Sequence, residues 1–114
     1  MICSVDFQNA YNELFALMRN YIWDLDVVEM LADVEVATYD AFLDIEKLNR
    51  CFQRLYPEVM DVAKDNDDDE MKKCADAFKK MIEDAINNEE SAYLDLYKVQ
   101  EAAVHEDGKE IIPQ

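Results

Sequence analysis

The densest set of ligand-type side chains in this 114-residue chain is DNDDDEMKKCAD, Asp65 to Asp76. Asp65, Asp67 and Asp69 have the spacing of the first three ligand positions of a calcium-binding EF-hand loop. The rest of that loop is missing. Its sixth position, where a glycine makes the sharp turn, is Glu70, and its eighth, usually apolar, is Lys72. Its twelfth, a bidentate Glu, is Asp76. The run therefore reads as a solvated acidic turn that can cap a following helix. His105 is the only histidine, and Glu101 four residues earlier makes at most one weak metal clip. A di-iron bundle needs paired Glu-x-x-His motifs, which one histidine cannot supply. Cys3, Cys51 and Cys74 form an odd set without CxxC spacing, so they are read as reduced, idle thiols of a cytoplasmic protein. With one histidine, no glycine-rich phosphate loop and no Cys–His pairing, nucleophilic or phosphoryl-transfer chemistry has no visible parts. No catalytic, cofactor-binding or metal-binding set is expected, and the chain is read as a non-enzyme.

The elements that would position any site are helical. One glycine and two prolines are too few for the turns of a β-rich fold, and Ala, Leu, Met, Glu and Lys are abundant. Phe7, Tyr11, Leu14, Met18, Tyr21 and Leu25 recur in steps of four and three, which predicts a helix over 5–23 capped by Ser4 or Asp6. A second stripe runs Val27, Leu31, Val34, Thr38, Ala41, Ile45, Leu48, Phe52, Leu55. Its phase differs from the first, so a break is expected near Asp24–Asp26, with Asp26 and Glu29 as the cap. The competing reading carries the first helix to Leu31 and turns at Ala32–Asp33.

The second helix should stop at Tyr56, because Pro57 disfavours helical geometry in the residue before it. A short extra helix then starts at Pro57 and reaches Lys64. Met71, Ala75, Phe78, Ile82 and Ala85 form the next apolar face. Its register continues through Ala92, Leu96, Val99 and Ala103 but turns Glu89 inward, so helices over 69–86 and 89–104 are expected, split at Asn87–Asn88. The expected fold is all-α: an antiparallel bundle of three to four helices in a single domain, 1–104, with a flexible tail over 105–114.

Charge narrows the functional classes. Eleven bases against twenty-seven acids give a net charge of −16. Direct binding to nucleic acid or to anionic membranes is disfavoured by repulsion. MICSVDFQN lacks the basic start and long apolar stretch of a signal peptide, and no apolar run approaches a membrane span. The favoured partner is a basic protein.

The charge is concentrated on apolar sequence. WDLDVVEMLADVEVATYDAFLDIE, residues 23–46, holds eight acids, with no Lys or Arg between Asn20 and Glu46. On one continuous helix Asp26, Glu29, Asp33, Asp40 and Asp44 line up as a ridge about 27 Å long. Val28, Ala32, Val36, Tyr39 and Leu43 form a second apolar stripe beyond it. Two apolar faces mean either a central helix covered on both sides or a face that meets another molecule. Helix-dipole compensation fades after about one turn, and solubility accounts for much of the rest. The sharper reading is a carboxylate series that imitates phosphates, one per ~5 Å against one per ~3.4 Å in a DNA strand.

In size, charge and acidic ridge the chain resembles the small phage-borne inhibitors that mimic DNA, the anti-CRISPR and anti-restriction class. The resemblance implies an inhibitor of a nucleic-acid-processing enzyme, such as a CRISPR effector, in the cytoplasm of a bacterial host. The alternative is a helical adaptor or homo-oligomer, with Val28, Val36, Tyr39 and Leu43 as a dimer patch.

Overall fold

The computed structural model describes residues 3–106, with side chains described through residue 88. It is all-α, with no strand among the described residues. Helices α1 (Ser4–Met18), α2 (Leu25–Tyr39), α3 (Ile45–Asp65) and α4 (Asp69–Glu106) pack in a ring in which α1 touches α2 and α4, and α3 touches the same two. Neighbours run antiparallel. Ser4 at the start of α1 accepts the Phe42 N–H just past the end of α2. Tyr21, past the end of α1, donates to Asp68 at the start of α4. Residues 107–114, and so most of the expected tail, lie outside the described residues, as do the side chains of Glu101 and His105.

The core is the set of apolar stripes. Phe7, Tyr11, Leu14 and Met18 of α1 are buried, and so is the whole second stripe from Val27 to Leu55. Met71, Ala75, Phe78 and Ile82 complete it from α4. Phe52 and Phe78 stack at 4.7 Å between ring centres, and Phe7 tilts against Phe78 at 6.4 Å. This aromatic layer ties α1, α3 and α4 together.

Several boundaries differ from the sequence expectation. First, α1 stops at Met18, five residues early. The Met18 carbonyl accepts the Tyr21 N–H at 3.1 Å and the Trp23 indole N–H at 2.8 Å, which stabilises the reversal. Leu25 consequently leaves the core and is exposed. Second, Asp24 rather than Asp26 caps α2, accepting from the Val27 N–H at 3.0 Å. Ser4 and Asp6 do not cap α1 either: its N-cap is Cys3, which makes no side-chain capping bond.

Third, the expected continuous second helix is broken at 40–44. Asp44 caps α3 through the Lys47 N–H. Ala41 within the turn is buried, so the stripe stays in phase across a break that periodicity alone does not reveal. Fourth, there is no separate short helix at Pro57: α3 runs through it. Pro57 and Gln53 both lie on the exposed side, where water can satisfy the carbonyl that Pro57 leaves without its N–H. Phe52 and Leu55 before it, and Val59 and Ala63 after it, bury one continuous face that holds the rod together. The expected break at Asn87–Asn88 is likewise absent, α4 being continuous to Glu106. Two asparagines cost a helix only about 0.5 kcal/mol each, too little to interrupt it alone.

The acidic run resolves as chain reversal. Asn66 ends α3, and Asp67 takes a left-handed conformation with φ 52°. The Asp68 N–H returns to the Ala63 carbonyl at 2.8 Å and the Asp67 N–H to Lys64 at 3.3 Å, the bonding pattern of a Schellman turn. Asp68 then caps α4 through the Met71 N–H. Its carboxyl is held below its usual range, first by the Tyr21 hydroxyl and then by that backbone bond.

A candidate protein-binding face on helix α2

Helix α2 is short because Asp24 starts it and the 40–44 turn ends it. Its inner side is fixed by Val27, Leu31, Val34, Ala37 and Thr38. At about 100° per residue, Leu25, Val28, Ala32, Val36 and Tyr39 share roughly 80° of the opposite side. Neighbouring helices do not cover that side. Val28 is 47%, Val36 56%, Tyr39 57% and Leu43 76% exposed. A mid-bundle helix covered on both faces is therefore not what this chain builds. The second stripe faces solvent, with Leu43 carried by the following turn rather than by α2.

The acidic ridge is shorter than expected. Asp26, Glu29 and Asp33 remain together on exposed α2, spanning about 10 Å of helix. Asp40 is the C-cap of α2, and Asp44 is the N-cap of α3. Both are exposed, yet they belong to the turn and not to a five-membered line along one rod. Asp33 lies 3.8 Å from Arg54 of α3, an exposed pair that contributes little to stability. Asp26 and Glu29 make no ion pair among the described residues.

Beside this strip, α1 and α2 enclose a groove of about 400 Å³. Tyr11, Met18 and Leu31 form its floor; Phe15, Val28 and Ala32 form its walls. Arg19 and Trp23 stand at one end and Glu35 nearer the other. Tyr11 is fixed twice, by stacking on Phe15 at 5.9 Å and by donating to the Leu31 carbonyl at 3.1 Å. Burial, aided by the negative charge of Glu35, pushes its phenol up to about 12. No family model, curated protein or solved structure gives a significant match to this chain.

Sequence reasoning missed Phe15, Ile22, Leu25 and Phe42, all of them exposed. The missed signal was the Asp24-x-x-Val27 cap, which moves Leu25 from the first stripe onto the outer face of α2. Cys74 is half-buried, and burial followed by the charges of Glu13 and Glu70 pushes it up, away from the reactive thiolate. Among the described residues no group of three or more His, Cys, Asp or Glu side chains is placed to hold a metal ion, and no helix is long and apolar enough to cross a membrane.

Proposed function

We propose that this protein is a non-catalytic binder of a basic protein, acting as an inhibitor of a nucleic-acid-processing enzyme. The observation that carries the reading is the side-by-side arrangement on α2 of a solvent-facing apolar strip and a line of exposed carboxylates. The strip offers the apolar contact from which interface hot spots are made. The carboxylates, with the −16 net charge behind them, speed encounter with a cationic surface and reject anionic ones. A groove that holds nucleic acid is the most consistently cationic surface a protein partner presents. The shortened ridge puts more of the affinity on the apolar strip and leaves the acids to steer.

The experiment is capture of partners from the native host at low and high salt, comparing the wild type with an Asp26→Asn/Glu29→Gln/Asp33→Asn triple variant. A basic nucleic-acid enzyme released by salt, and captured poorly by the helical triple variant, is the expected result. Equal capture by both proteins removes the acidic face from the mechanism.

The exposure of Val36 and Leu43 also supports a second reading, a homodimer closed through the same strip. In that case Val36→Glu or Leu43→Glu lowers the solution mass to that of one chain, and the carboxylate changes are without effect.

A further inference from the structure

We propose that the α1–α2 groove receives one amphipathic helix of the partner, apolar on its inner side and cationic on its flanks. The helix lies over Phe15, Val28 and Ala32, with a Lys or Arg against Glu35. This rests on the reading of the protein as a binder of basic proteins and names the element it binds.

Shape argues for a helix. The groove lies between two antiparallel helices, and the exposed strip beside it runs from Leu25 to Tyr39, about 21 Å or four helical turns. A helix laid in such a trough offers contacts at i, i+3, i+4 and i+7, the spacing of the α2 lining residues Val28, Leu31, Ala32 and Glu35. Charge selects the helix. Glu35 lines the groove and Glu29 stands exposed beyond the strip, while the one cation lining the groove among the described residues is Arg19, at its far end. A second copy docked through its own α2 strip is a poor occupant. It has no Lys or Arg between Asn20 and Glu46 to set against these carboxylates, and it brings a further −16. Nucleic acid is repelled for the same reason.

The single tryptophan, Trp23, lines the groove and reports its occupancy. The full-length protein is titrated with a synthetic Leu/Lys peptide about five helical turns long, with Leu at helical spacing, and with a Leu/Glu peptide of the same pattern. The Leu/Lys peptide is expected to shift Trp23 emission to the blue and to saturate; the Leu/Glu peptide is not. Ala32→Arg, a change at an exposed wall residue, should weaken binding at least tenfold (~1.4 kcal/mol). Ala77→Arg makes the same charge change in the separate α1–α4 groove and should leave binding within about twofold. Val28→Ser provides an independent loss of contact should Ala32→Arg disturb the fold.

Equal weakening by Ala32→Arg and Ala77→Arg would mean diffuse attraction and no groove. Equal binding of the two peptides, or a Trp23 signal that never saturates, overturns the proposal as well. So does a dimer mass that Ala32→Arg abolishes, since the occupant is then a second copy. Failure here is separable from failure of the wider reading. If Ala32→Arg still captures the basic partner while the carboxylate triple variant does not, the groove assignment falls and the acidic face stands.

Discussion

The α1–α2 half and the α3–α4 half of this bundle both contribute to the core but differ on the outside. Every large apolar side chain exposed among the described residues falls between Val5 and Leu43. None belongs to α3 or to the described part of α4, where the outer face is polar and charged. The helix junctions differ too. The α3–α4 reversal closes three backbone and capping bonds between Ala63 and Met71, whereas the α1–α2 connection, though bonded through Trp23 and Asp24, leaves Ile22 fully exposed. Exposed apolar surface adds nothing to stability, and in a chain already strained by its own charge it promotes association. Under the proposed reading, that half carries the working face and the other serves as its frame.

The sharpest way to break this division is to exchange large for small in each half. Phe52→Ala removes the ring stacked on Phe78 and should cost about 3–5 kcal/mol. That is a large part of the roughly 5–15 kcal/mol a domain possesses. Val36→Ser on the exposed strip should change stability by less than about 0.5 kcal/mol while weakening partner capture. Urea titrations of both variants measure this directly. If Val36→Ser destabilises as Phe52→Ala does, the strip is structural and the division disappears.

Tyr11 lies where the two roles meet, at the floor of the groove and inside the core. Tyr11→Phe removes the bond to the Leu31 carbonyl and should cost about 1 kcal/mol, since that carbonyl also belongs to the α2 ladder. The raised phenol adds a signature in pH. A group whose folded value lies above its unfolded value contributes stability that is complete below the unfolded value. For Tyr11 that contribution holds below pH 10 and is lost as pH rises toward about 12. Stability of the wild type should therefore fall over that window more steeply than stability of Tyr11→Phe. Identical alkaline profiles would show that the Tyr11 hydroxyl is not buried in solution.

The core was legible in the sequence because burial imposes a period, and Val27 through Leu55 kept it without a fault. The same regularity concealed the break at 40–44. Ala41 fills an inward position within the turn, so the pattern carries no mark of where the rod ends. Pro57 misled in the opposite direction: a local rule predicted a stop, and burial on both sides of it outweighed one missing hydrogen bond. The candidate face was half legible. Val28, Ala32, Val36 and Tyr39 were grouped correctly by the helical wheel, but whether a neighbour covers them depends on where α1 ends. It ends at Met18, whose carbonyl takes up the Trp23 indole N–H, and the wheel carries no information about that.

The smallest predicted effect tests the frame at its tightest point. Asp67 adopts φ 52°, a region that costs a residue with a Cβ about 1 kcal/mol or more and costs glycine nothing sterically. Glycine also loses more chain entropy on folding, which offsets part of the gain. Asp67→Gly additionally removes one carboxylate from a turn that already holds Asp65, Asp68 and Asp69. The expected net change is a stabilisation of about 0.5–1 kcal/mol, or a few degrees in Tm. Calorimetry of the single variant decides it, and partner capture should not move, because Asp67 itself lines neither α2 nor its groove, which the turn meets only through the Tyr21–Asp68 bond. A drop in Tm would mean that the Asp67 side chain does more at this turn than occupy a left-handed position, and the α3–α4 frame would then rest on its acids rather than on its backbone bonds.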